Sequence, residues 1–224
     1  MGRDNSARER QRRQLERKHN RRASYDRILI VSEGSKTEPN YFSEIRAEYQ
    51  LHSANVAVQP SARGTEPLQV VEYARELFEN GDLHRGIRPR GFEQVYAVFD
   101  RDEHHTFQSA LIRSQTLDGK LKNDLKMPVK FAAIASRPSF EFWLLLHFED
   151  VRHLIHRNEA IRRLKLHIPN YHKGYGQAFA DSKSELQTAI ERARAITNRV
   201  DPKDDREPYP GIVHLVELLT NLKS

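Results

Sequence analysis

The chain has 224 residues, of which 38% are hydrophobic and 30% charged, with a net charge of +6 and no cysteine. That length allows one domain with attachments or two small ones, and the apolar fraction is enough for a sizeable core. Disulfide scaffolds, cysteine-ligated metals and thiol nucleophiles are excluded; mean hydropathy is −0.77, no apolar run reaches about 18 residues, and no apolar leader precedes the body, so a cytoplasmic protein without a membrane partner is expected.

The charge is unevenly placed. Residues Met1–Ala23 hold nine Lys or Arg against three acids, so this segment carries the whole excess and the rest is neutral. Leu15 is its one large aliphatic residue beyond Met1, too little apolar surface to offset ordering. It reads either as a basic arm contacting phosphates, with Arg12, Arg13, Arg21 and Arg22 as candidates, or as a solubilising tail.

Arg27–Ser32 is a short aliphatic run ending at Glu33-Gly34 and reads as a buried strand. Glu38–Gln50 has Phe42, Ile45 and Tyr49 at helical spacing. Val56–Gln59 is a second strand. Pro67 opens a helix with Leu68, Val71, Ala74, Leu77 and Phe78 on one face, ended by Asn80-Gly81. Asp82–Gly91 is a loop carrying His84, Arg85, Arg88 and Arg90. Gln94–Phe99 is a third strand, terminated by Asp100-Arg101-Asp102-Glu103. Phe107–Asp124 is helical with a break at Gly119, Val129–Ala135 is a fourth strand, and Arg137-Pro138-Ser139 opens a helix to about Phe148. Ser182-Lys183-Ser184-Glu185 matches a capping box that starts a helix to about Asn198. Asp201–Pro210 is a linker, and the last helix carries Ile212, Leu215, Val216, Leu219 and Leu222. Strands alternating with helices predict an α/β fold: a mostly parallel four-stranded sheet flanked by helices. The expected organisation is a flexible tail (1–23), an α/β core (24–150) and an all-helical region (151–224) packed on it.

Ligands of open α/β sheets gather outside the carboxyl ends of the strands. Glu33 ends the first strand, and Asp100 and Asp102 end the third, which places all three on one rim if those strands are neighbours. Close carboxylates repel unless a cation joins them, and hard oxygen ligands suit Mg²⁺ or Mn²⁺. Such a site can hold a phosphodiester and orient an attacking water. Glu33 is a metal ligand or a general acid/base; an ordinary acidic turn is the bland alternative for Asp100–Glu103.

These residues carry a resemblance. Ile28–Phe42 (ILIVSEGSKTEPNYF), Val98–His104 (VFDRDEH) and Ser136–Glu149 (SRPSFEFWLLLHFE) together resemble the RloB-like family of bacterial restriction and abortive-infection loci. The glutamate after one strand and the Asp-x-Asp after a later one resemble the Toprim fold of topoisomerases, primases and overcoming-lysogenization-defect nucleases. The resemblance implies a Toprim-like core in which Glu33, Asp100 and Asp102 bind Mg²⁺ or Mn²⁺. It further implies a nuclease acting on RNA (tRNA included) or DNA in anti-phage defence. The other reading is a non-catalytic subunit binding nucleic acid or an ATPase partner, and a homodimer is a further partner state. The chain departs from the family pattern at Arg137, where an Asn is expected, and at Glu207–Pro210.

Several neighbours bear on the site. Lys36, on the loop entering a helix, is a candidate phosphate ligand, whereas the missing Gly before it excludes a P-loop. Glu38 reads as a helix-dipole residue. Glu141, a carboxylate on an apolar helix, needs a partner and is a candidate catalytic or second-layer group; Arg137 either pairs with it or binds phosphate. His104 and His105 are candidate proton shuttles or solvated loop residues. His153 and His156 have helical spacing but lack the surroundings of a zinc site. Tyr171, His172, Lys173 and Tyr175 form a basic-aromatic patch suited to nucleic acid, or a polar loop.

Overall fold

A computed structural model of the chain describes residues 25–101, 105–204 and 206–223. The basic segment with Arg12, Arg13, Arg21 and Arg22, together with Asp102 and His104, lies outside the described residues. In chain order the elements are β1 (Ile28–Ser32), α1 (Thr37–Glu48), β2 (Val56–Pro60), α2 (Pro67–Asn80), β3 (Gln94–Asp100), α3 (Phe107–Leu117), β4 (Lys130–Arg137), α4 (Phe140–Leu145), α5 (Arg157–His167), α6 (Ala178–Ser182), a 3₁₀ turn (Lys183–Glu185), α7 (Leu186–Thr197), β5 (Tyr209–Pro210) and α8 (Ile212–Thr220). No helix among the described residues is long and apolar enough to cross a membrane.

The sheet order is β2-β1-β3-β4-β5. The first four strands are parallel and β5 is antiparallel to β4. All five residues of β1 are buried, which explains an unbroken aliphatic run where a half-exposed strand would alternate. The two faces are covered by different helices. Ile28, Ile30, Tyr96, Val98 and Ile134 face one core, shared with Tyr41 and Phe42 of α1, Phe140–Leu146, and α7 and α8. Leu29, Val31, Val95, Ala97, Phe99 and Phe131 face a second core with α2 and α3. Because β1 has β2 on one side and β3 on the other, the strand order reverses between β1 and β3, the kind of crevice where α/β sheets bind ligands.

Three expectations are corrected. The region after Asp150 is not all helical, because Tyr209–Pro210 adds a short edge strand opposite Arg137 and Ser136. The approach is close: a Cβ on Gly211 would lie 2.4 Å from the Ala135 carbonyl oxygen, which accepts the Gly211 N–H at 3.0 Å. A two-residue strand containing proline, tolerated only at an edge, leaves no period to read. Ser182 is not a cap. Its hydroxyl turns back to donate to the Ala178 carbonyl at 2.7 Å, ending α6, and α7 starts four residues later without a side-chain cap. Arg137 neither pairs with Glu141 nor faces solvent. The residue is 4% exposed, and its guanidinium donates to the carbonyls of Pro202, Asp204 and Glu207. These bonds hold the backbone of Pro202, Asp204 and Glu207 against the end of β4, a structural duty for Arg137.

Candidate functional site

Alternation along the strands aims the site. On the face carrying Ile28, Tyr96 and Ile134, the last inward-facing residues are Ser32, Asp100 and Ser136. Asp100 and Ser136 are register partners on β3 and β4, so their side chains stand together on one face. Asp100 is 9% exposed and Ser136 is 1% exposed. The Ser136 hydroxyl is buried without a hydrogen-bond partner among the described residues.

Three more carboxylates surround this floor. Glu33 follows β1; its N–H donates to the Val98 carbonyl at 2.8 Å, and its Oε2 accepts the Asp100 N–H at 3.0 Å. The two strand ends are thus linked in the way the sequence placed them. Glu38, in the first turn of α1, is 6% exposed and curls over Gly34: a Cβ there would sit 1.9 Å from Glu38 Oε2. Only glycine leaves that space, so Gly34 admits a neighbouring carboxylate to the cluster. Glu141, 3% exposed in α4, accepts the Ser139 hydroxyl at 2.6 Å and the Tyr171 hydroxyl at 3.3 Å.

Burial and mutual repulsion set the protonation of this group. Burial, then the charges of Glu38, Glu141 and Glu33, push Asp100 well above the usual carboxylate range, against a smaller opposing effect of Arg157. Burial likewise pushes Glu38 up to about 7, helped by Glu141 and Glu33 and opposed by its own backbone N–H and by Lys173. Four carboxylates that feel one another in a low-dielectric corner form a strongly unfavourable arrangement unless protons or cations neutralise it.

The mouth carries the opposite charge. Lys36 and Lys173 are exposed, and Arg157 opens α5. The 171–176 loop is clipped to the start of α1, with Gly174 N–H donating to Thr37 Oγ1 at 2.9 Å and Asn40 Nδ2 donating to the Gly174 carbonyl at 3.1 Å. A Cβ on Gly174 would lie 3.0 Å from Lys36 Cδ, so the Lys36 chain runs along this loop.

The structure therefore brings Glu33, Asp100, Glu141, Lys36 and Lys173 to one corner. Two expectations change. Tyr171 is not a stacking platform: it is 2% exposed and holds Glu141. Glu38 is not an exposed dipole residue but a member of the cluster. Sequence reading missed Glu38 and Arg157. For Glu38, Gly34 four residues upstream was the available sign, since it frees the space the carboxylate fills. His105 is exposed, and His156 caps α5 by accepting the Asn158 N–H at 3.2 Å.

The donor set fits a hard divalent cation. It consists of carboxylate and hydroxyl oxygens, with the orphaned Ser136 hydroxyl beside Asp100, whose pKa burial raises. Among the described residues no three His, Asp or Glu side chains are already drawn together around an ion position; Asp102, two residues beyond Asp100, lies outside them.

Fold and site together define an α/β protein with an acidic corner at the strand carboxyl ends, at the reversal of strand order. The family model described as RloB-like protein matches residues 28–219. The chain belongs to the RloB-like family. No curated protein and no solved structure matches it.

Proposed function

We propose that this chain is a divalent-cation-dependent nuclease of Toprim type, hydrolysing RNA or DNA phosphodiesters in bacterial anti-phage defence. The observation that carries the reading is Asp100, buried at the strand-order reversal and raised in pKa by three neighbouring carboxylates. Buried carboxylates perturbed by one another in this way cluster at functional sites. The family membership supports the setting.

Glu33, Asp100 and Asp102 would hold Mg²⁺ or Mn²⁺, with Glu38 and Glu141 available from the opposite wall. A bound ion polarises a phosphate oxygen and lowers the pKa of a bound water. The chain's own residues do the rest. Lys36 and Lys173 at the mouth attract the phosphodiester and orient it over the carboxylates. Ser139 and Tyr171 fix the Glu141 carboxylate by two donated hydrogen bonds, so it meets a ligand without reorganising. Glu38, titrating near neutrality, is suited to accept a proton at its carboxylate as water attacks phosphorus.

The test is cleavage of tRNA, single-stranded RNA and plasmid DNA by the full chain in Mg²⁺, Mn²⁺ or a chelator. Metal-dependent products are expected from the wild type, with at least about a hundredfold loss in Glu33→Gln and Asp100→Asn. Products that are equal across wild type and variants, or absent from every substrate, would contradict the reading. Phage protection that survives both substitutions would instead favour a non-catalytic, partner-binding subunit.

A further inference from the structure

The opposite end of the sheet has a charge pattern of its own. The loop entering β3 and the loop entering β4 both lie at the amino ends of the strands. With β4 running eight residues from Lys130 to Arg137, this rim is about 23 Å from the carboxylates. Arg88, Arg90, Lys120, Lys122 and Lys126 are exposed there. None of the five makes an ion pair with a described residue.

The acids of the same loops are engaged elsewhere. Asp82 Oδ1 accepts the His84 and Arg85 N–H groups at 3.0 and 3.2 Å. Asp118 Oδ1 accepts the Phe131 N–H at 2.9 Å. Asp124 receives the Arg27 guanidinium at 2.8 and 2.6 Å. Arg27 and the five exposed cations outnumber Asp82, Glu93, Asp118 and Asp124, so the outward field of this rim is positive although the body as a whole is neutral.

The display is also rigid. The first loop is closed by an Asp82–Ile87 bridge and the second by a Lys122–Pro128 bridge. The Asp124 N–H donates to the Arg90 carbonyl at 2.8 Å, joining the two. Asn123 is buried and its Oδ1 accepts the Leu125 and Met127 N–H groups at 3.0 and 2.9 Å. The backbone that carries these cations is thereby held in place, so the loops themselves lose little entropy on meeting a ligand. Asp26, two residues before β1, accepts a hydrogen bond from Gln94 at 2.7 Å at the same rim.

We propose that this rim is a nucleic-acid anchoring surface, distinct from the carboxylate corner, in which Arg88, Arg90, Lys120, Lys122 and Lys126 contact backbone phosphates. This inference rests on the proposed function for its choice of polyanion. Without divalent ions the carboxylates of the corner repel phosphate and offset the attraction of Lys36 and Lys173 at its mouth, so a cationic surface away from those carboxylates is the better placed source of affinity for the metal-free protein. The cations of this rim supply it, and a strand anchored there crosses about 23 Å, or about seven base pairs, before reaching the carboxylates. Leu83, Leu125 and Met127 are exposed at the loop tips. Against a duplex such side chains pack on sugars and base edges, and against a lipid surface they would insert, which the test separates.

The experiment is fluorescence anisotropy of the full chain in chelator, with a labelled duplex of about 20 base pairs and an RNA of about the same length, over a series of salt concentrations. Arg88→Glu/Lys122→Glu/Lys126→Glu should weaken binding by about tenfold or more and reduce the log–log salt slope by about 2–3. The milder Lys122→Gln/Lys126→Gln pair, which adds no acid and leaves the backbone bridges intact, should lower the slope by about 2. Unchanged affinity and slope in both rim variants would overturn the anchoring surface even if metal-dependent cleavage is observed. Binding that falls in the rim variants while no variant cleaves anything would uphold the surface and sink the nuclease reading. Rim-dependent binding to phosphatidylglycerol vesicles without nucleic-acid binding would also overturn it.

Discussion

Asp100→Asn is expected to stabilise the metal-free protein while destroying its response to divalent cations. Asp100 and Glu38 have folded-state pKa values above their ordinary ones. For such groups the favourable contribution is complete below the unfolded pKa and is lost as pH rises through the folded value. For Glu38 the window runs from the ordinary carboxylate range up to about 7, so at neutral pH and above the cluster opposes folding. Replacing Asp100 with a neutral isostere removes one like charge from the corner. A gain of about 1–2 kcal/mol follows, or about 2–8 °C in Tm for a chain of this size, in chelator near pH 8. The gain should shrink as pH falls below about 7, where Glu38 takes up a proton. Mn²⁺ should raise the Tm of the wild type and leave that of the variant unmoved. Thermal melts across pH measure both effects, and an Asp100→Asn protein less stable than wild type at pH 8 would contradict this electrostatic reading.

Arg27→Met is expected to have the largest effect on stability. Arg27 is 4% exposed. Its Nε donates to Glu93 at 3.0 and 2.9 Å, its Nη groups donate to Asp124 at 2.8 and 2.6 Å, and its backbone N–H donates to Glu93 at 2.7 Å. Asn123 adds a bond to Glu93 at 3.1 Å. One guanidinium therefore ties the start of β1 to the approaches of β3 and β4. Removing it leaves two carboxylates facing each other over the sheet edge, at a cost of about 3 kcal/mol, or about 6–12 °C in Tm. Because the loss is dominated by the abandoned carboxylates, Arg27→Met/Glu93→Gln/Asp124→Asn should recover about half of it. Urea melts of the two variants decide; a Cm within error of wild type for Arg27→Met would show that the network is energetically idle.

The strands and helices up to Phe148 were legible because local pattern determines them. The aliphatic runs of β1 and β3, the proline opening α2 and the glycine ending it act over a few residues. The convergence of Glu33 and Asp100 was expected on the condition that the first and third strands are neighbours, a condition no local pattern decides and the sheet order supplies. What stayed hidden depends on distant partners. Arg27 looks like the flank of a strand until Glu93 and Asp124, 66 and 97 residues away, are brought to it. Arg137 looks like a phosphate ligand until the carbonyls of Pro202, Asp204 and Glu207 receive its guanidinium. Tyr171 sits in a polar-looking run whose neighbours are exposed, so its burial against Glu141 leaves no trace in periodicity. Ser182 satisfies a capping pattern, yet the preceding α6 claims its hydroxyl first.

The most direct measurement is calorimetric titration of Mn²⁺ into the full chain at about pH 6 and about pH 8, in buffers of differing ionisation enthalpy. Saturable binding should be tighter at the higher pH. At the lower pH it should be accompanied by proton release, since cations displace the protons that Glu38 and Asp100 retain, and both effects should vanish in Asp100→Asn. The absence of saturable heat at either pH, or identical isotherms for wild type and Asp100→Asn, would show that the buried carboxylates hold no metal.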